Sequence, residues 1–110
     1  MKKVYCSKDS VKIKNANGTA ERSCKCSSWL AHWEKYTYLR ASTCCVYGCN
    51  NKAEVGAHIT RPMAQSEEYK THPYIVPMCK SHNSQLGQTF TSKSNTSFVW
   101  ANVSETCGAK

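Results

Sequence analysis

Eight cysteines in 110 residues are the strongest constraint on how this chain folds. Free thiols at that density are a chemical liability, so the fold must tie them into disulfides or gather them around metal. Spacing separates the two. Cys45-Val46-Tyr47-Gly48-Cys49 is a C-x3-C pair inside a turn, and Cys79-Lys80-Ser81-His82 is a C-x2-H pair at the start of a helical segment. Each short pair converges two donors on one ion, Gly48 permits the tight loop, and the long gap between pairs leaves room for a hairpin. Cys45, Cys49, Cys79 and His82 therefore read as a tetrahedral Cys3His set suited to a structural Zn2+. Cys44 offers a C-x4-C alternative; the shorter loop, like a zinc knuckle, favours Cys45. The other four, Cys6, Cys24, Cys26 and Cys107, leave three readings open: disulfides, reduced thiols, or a second zinc site built on Cys24-Lys25-Cys26.

The flanking sequence reads as one domain over 1–110, in three parts. In residues 1–43, Val11-Lys12-Ile13-Lys14 alternates apolar and basic residues before Asn15-Ala16-Asn17-Gly18, which predicts a short basic hairpin. Ser27-Ser28 caps a helix running to about Tyr36, whose Trp29, Leu30 and Trp33 form a core-facing stripe. In residues 44–90, Val55 to Thr60 reads as a strand stopped by Arg61-Pro62, residues 63–72 as a polar loop, Tyr74 to Met78 as a second extended segment, and Cys79 to about Gln88 as a helix. In residues 91–110, a Ser/Thr/Lys/Asn loop leads to a final strand over Ser97 to Val103.

The order Cys45-x3-Cys49, Gly56-Ala57-His58-Ile59, then Ile75-Val76-Pro77-Met78-Cys79-Lys80-Ser81-His82-Asn83 resembles the zinc-containing branch of the HNH endonucleases over about residues 44–90. The resemblance implies an α+β fold, a small zinc-stabilised treble-clef or ββα-metal core carrying the N-terminal basic hairpin and helix. It also implies that His58 is a general base activating water, and that Asn83 ligates a second, catalytic divalent metal. His72 is the nearest candidate for the residue that orients the base. The sequence departs from the family where a metal-binding carboxylate or imidazole normally precedes the base: that position is Ala57. A hard Mg2+ site thereby lacks an oxygen ligand.

Charge points toward acidic partners. The net charge is +8, and residues 1–40 hold nine Lys and Arg against three Asp and Glu. Lys12, Lys14 and Lys25, with Lys2, Lys3 and Lys8 beside them and Arg61 and Lys80 near the zinc ligands, are the candidate phosphate contacts for a nucleic acid. Two classes of function follow. One is a basic, zinc-binding, HNH-like nucleic-acid binder, either a weak nuclease or a catalytically degraded descendant. The other is a non-enzymatic interaction module, such as a phage or mobile-element protein that binds a host factor and uses zinc only structurally. No apolar run reaches the roughly 20 residues of a membrane span, and Met1 to Cys6 does not lead into a signal-peptide core, so a cytoplasmic protein with no membrane partner is expected.

Overall fold

The computed structural model describes residues 4–15, 28–64, 73–85 and 87–101. Its strands are β1 (Val4–Ser7), β2 (Lys12–Asn15), β3 (Val55–Thr60), β4 (Tyr74–Met78), β5 (Thr89–Thr91) and β6 (Thr96–Trp100). Its helices are α1 (Trp29–Thr37) and the single turn α2 (Lys80–Asn83). The strands form one six-stranded antiparallel sheet in the order β1-β6-β4-β3-β2-β5.

This corrects the expected α+β treble-clef class: the protein is a small β-rich domain. The β3–β4 hairpin lies between the two ligand pairs as expected, and its strands keep the bounds the sequence implies. Two departures change the class. The helix after Cys79 stops after one turn, and the chain from Thr89 returns as β5 to pair with β2. The flanking segments likewise extend the sheet, β1 pairing with β6 and β6 with β4. The N-terminal basic segment is also corrected. Lys14 and Asn15 lie opposite Thr60 and Ile59 of β3, and Lys12 to Lys14 opposite Thr91 to Thr89 of β5, so β2 is an interior strand whose partners are distant in sequence.

Period-two alternation sorts the side chains onto two faces. Ile13, Ala57, Ile59, Tyr74, Val76, Met78 and Phe98 face one core, which also holds Cys44, Cys45, Val46, Cys49 and Cys79. Tyr5 on β1 and Phe90 on β5 reach this same core from the sheet's two edges, so the sheet curls around it. On the opposite face, Ile75, Val99 and Ala101 pack with Trp33, and Trp29 and Tyr36 cover them. α1 thus lies across β3, β4 and β6.

Ser28 caps α1, its hydroxyl accepting from the Ala31 amide at 3.1 Å. Tyr38, in the left-handed region at φ 60°, ends the helix. Trp33 buries its ring and donates Nε1–H to the Ser97 carbonyl at 2.8 Å, which fixes α1 to β6. His32 is fully buried, with Nε2 3.0 Å from the Trp100 carbonyl. Burial holds its pKa below the usual 6.5; the Trp100 carbonyl opposes that shift and Lys35 adds to it. The unfolded chain therefore binds this proton more readily than the folded one. Above about pH 6.5 the contribution of His32 to stability is constant, and below it stability falls as pH drops. Replacing His32 with glutamine, which keeps a donor but no titratable ring, should flatten the urea midpoint between pH 6.5 and 5 relative to the wild type. An unchanged slope would show that His32 is not the group responsible.

Among the described residues no helix is long and apolar enough to cross a membrane.

Candidate metal centre

Four side chains from two turns converge beside the β3–β4 hairpin. The ligand atoms of Cys44, Cys49, Cys79 and His82 all lie within 4.8 Å of one another. Cys49 Sγ is 4.0 Å from Cys79 Sγ, and His82 Nδ1 is 3.3 Å from Cys79 Sγ and 3.7 Å from Cys44 Sγ. A tetrahedron with metal–sulfur bonds of about 2.3 Å and a metal–nitrogen bond of about 2.0 Å has edges of roughly 3.8 Å and 3.5 Å. The observed separations scatter around those edges. They are far beyond a disulfide bond of about 2.05 Å, and Cys6, Cys44, Cys45, Cys49 and Cys79 are all free thiols. The geometry is compatible with structural zinc.

The first ligand is Cys44, where spacing favoured Cys45. The turn that carries it is held from the side of β5. Val46 lies opposite Ser92 in an isolated bridge, with the Tyr47 amide bonded to the Thr91 carbonyl at 2.7 Å and the Lys93 amide to the Cys45 carbonyl at 2.7 Å. Cys44, Cys45 and Val46 are all buried in the same core, and it is the Cys44 sulfur that lies 3.7 Å from His82 Nδ1. Cys45 is instead a stitch: its amide donates to the Pro77 carbonyl at 2.9 Å and its thiol is buried. Burial, with Cys44 beside it, pushes that thiol's pKa well up. After Val46 the chain turns tightly, Cys49 N–H donating to the Val46 carbonyl at 3.0 Å. Gly48 holds φ +82° in this turn, a conformation that side chains rarely adopt. Lys93 Nζ donates to the Cys49 carbonyl and closes the turn from the side of β5.

Cys79 and His82 are placed by the start of α2. Cys79 occupies the N-cap position and is 1% exposed. Burial alone would raise its pKa. Donors from the His82 amide and ring, the Asn51 side chain and the Cys44 thiol outweigh that and bring it down to about 6. Asn51 Nδ2 lies 3.8 Å from the sulfur. Burial pushes Cys44 up to about 11, with the Cys79 and Val46 amides opposing the shift. Three sulfurs this close ionise together only if a cation balances them, which is the chemistry a divalent ion supplies at such a donor set.

Asn15, read in the sequence as part of a turn, is a buried clasp on α2. Its Nδ2 lies 3.0, 3.1 and 3.0 Å from the carbonyls of His82, Asn83 and Gln85, and its backbone bonds to Gln88 and Gly87. One side chain from β2 thereby satisfies carbonyls at the C-terminal end of the short helix, and the chain leaves through Gly87 at φ 77° into β5. Replacing Asn15 with alanine strands those carbonyls and should cost about 2–3 kcal/mol. It should also loosen His82, so faster zinc transfer to a chelator is expected alongside a lower urea midpoint. A variant as stable as wild type would contradict the clasp.

The residues expected to carry catalysis are not gathered. His58 stands on the α1 face of β3, its ring 4.5 Å from and nearly perpendicular to that of Trp29, while Ala57 and Ile59 face the metal side. Asn83 follows the metal ligands, where its carbonyl accepts from Asn15. The sheet separates the two residues that were to share a second divalent ion, and His72 lies outside the described residues. Among the candidate phosphate contacts, Lys12, Lys14 and Lys80 are exposed, whereas Arg61 sits over the Tyr5 ring and donates to its hydroxyl at 3.2 Å. Lys25 lies outside the described residues, as do Cys24, Cys26 and Cys107, on which the second-zinc and disulfide readings turn.

Compared with known protein families, curated proteins and solved structures, the chain has no match. Fold and site together define a curled antiparallel sheet with a Cys3His cluster close enough to bind a metal ion.

Proposed function

We propose that this is a nucleic-acid-binding domain stapled by a structural zinc ion, without nuclease activity. The observation that carries the reading is the donor set. Three sulfurs and one imidazole nitrogen fill a tetrahedron from the protein alone, and structural zinc sites are closed in this way, whereas catalytic ones keep a position for water. The candidate base His58 packs against Trp29 on the other face of the sheet. Binding rather than cleavage is therefore the activity favoured. The net charge of +8 and the exposed lysines of β2 support a polyanionic partner.

The test is fluorescence anisotropy of a labelled oligonucleotide with zinc-loaded protein across a salt series, beside incubation of plasmid with Mg2+, Mn2+ or Ni2+. Log affinity should fall linearly with log salt, and the plasmid should stay intact. Metal-dependent cleavage abolished by His58→Ala would restore the nuclease. No salt-sensitive binding to any nucleic acid would put the protein-interaction reading first. That second reading is favoured by Tyr38 and Leu39, adjacent apolar side chains left 93% and 52% exposed at the end of α1.

A further inference from the structure

Among the described residues α1 packs on its face of the sheet against β3, β4 and β6, and the β2–β5 end carries an ordered set of side chains. Residues directly opposite one another across antiparallel strands share a face. Lys14 lies opposite Thr60 on β3 and Thr89 on β5, which makes one row: Thr60, Lys14, Thr89. Lys12 lies opposite Thr91, and its Nζ donates to Thr91 Oγ1 at 2.8 Å. The bridge between Val46 and Ser92, with the Tyr47 amide on the Thr91 carbonyl, extends that row by one strand to Tyr47. The second row is therefore Lys12, Thr91, Tyr47. Ile13 between the lysines is fully buried in the core, so both rows point outward, and Tyr47 is 70% exposed.

We infer that this two-row surface binds single-stranded nucleic acid, a base stacking on Tyr47 while Lys12 and Lys14 take successive backbone phosphates. The inference rests on the nucleic-acid reading and assigns it a surface and a strand type. Charge complementarity favours the occupant: two exposed cations without a carboxylate in either row, flanked by threonine hydroxyls able to donate to phosphate oxygens. Two residues of strand separate the lysines by roughly 6.7 Å, a step one extended strand of nucleic acid follows along its backbone. The aromatic selects single strands, because a base offers its face only when it is out of the duplex stack. Tyr47 also sits on a pre-formed platform. Its turn is closed by Cys44 and Cys49 on one side and by Lys93 on the other, so little ordering is needed on binding.

The experiment measures anisotropy of a labelled ten-residue oligo-dT and of the same length as a duplex, using zinc-loaded wild type, Tyr47→Ala, Tyr47→Phe and Lys12→Ala/Lys14→Ala. Arg40→Ala, an exposed cation beyond the end of α1, is the control. Zinc content and circular dichroism verify folding. Tyr47→Ala should weaken oligo-dT binding by about tenfold with the salt slope unchanged, and Tyr47→Phe should stay within about twofold of wild type. The double lysine variant should lower the salt slope by between about one and two, and Arg40→Ala should have the smallest effect. If wild type binds but the three variants match it, or if duplex is held as tightly as single strand, this surface is overturned while nucleic-acid binding stands. If wild type binds neither probe, the underlying reading fails and this inference with it.

Discussion

A Cys79→Ser protein is expected not to fold. The sulfur of Cys79 lies at the centre of the cluster, within 4.0 Å of Cys49 Sγ and 3.3 Å of His82 Nδ1, and its residue is 1% exposed. Structural zinc contributes on the order of 10 kcal/mol to small domains, against a total stability of about 5–15 kcal/mol. A bound ion would also join the turn at Cys44 to Cys49 to the start of α2, adding to the bond from the Cys45 amide to the Pro77 carbonyl. Serine coordinates zinc poorly and leaves a polar oxygen in the space of a thiolate. The expected outcome is loss of the cooperative urea transition and collapse of amide dispersion in the 1H–15N spectrum. A chelator strong enough to strip zinc should do the same to the wild type. Unchanged dispersion in Cys79→Ser would mean that the sheet stands without the ion.

Gly56→Ala should carry the next largest penalty, about 3 kcal/mol, through a clash rather than through backbone preference. A Cβ on Gly56 would lie 2.5 Å from the Leu30 amide nitrogen and 2.6 Å from the Trp29 carbonyl oxygen. Those are backbone atoms of α1, so no rotamer change relieves the contact and the whole helix must lift. Lifting it opens the packing of Trp33 on Ile75 and Val99 and pulls Trp33 Nε1 from the Ser97 carbonyl. Urea unfolding should show a lower midpoint with an unchanged slope. A midpoint equal to the wild type's would show that α1 does not sit this close to β3.

What the sequence disclosed follows the range over which each signal acts. β3, β4 and α1 were legible because their cues are local: apolar runs stopped by Arg61-Pro62, and a Ser28 cap ahead of the Trp29 and Trp33 stripe. Trp33 is core, as the helical spacing implied. β5 was hidden because Thr89-Phe90-Thr91 has one apolar residue and stands in a polar stretch. Its status as a strand depends on β2, 75 or more residues earlier. α2 was overextended for a similar reason, since the Asn15 side chain that terminates it comes from the far end of the sequence. The ligand set was legible to within one residue. A Cys44-Cys45 doublet offers two spacings, and both thiols are buried in the same core, so burial does not choose between them. The choice depends on where His82 lies, its Nδ1 3.7 Å from the Cys44 sulfur, a separation that spacing does not encode. His58 was misplaced because a motif match gives a strand position but not the face that α1 will cover.

Cys44 and Cys45 together offer the sharpest check on the metal centre. Zinc is quantified by elemental analysis after gel filtration in a weak chelator, for wild type, Cys44→Ala and Cys45→Ala. The geometry predicts that Cys44→Ala loses about one equivalent relative to wild type, because it removes a corner of the tetrahedron, and that Cys45→Ala retains it. Loss of zinc from Cys45→Ala with retention in Cys44→Ala would contradict the centre described here, as would a wild-type protein carrying less than about half an equivalent.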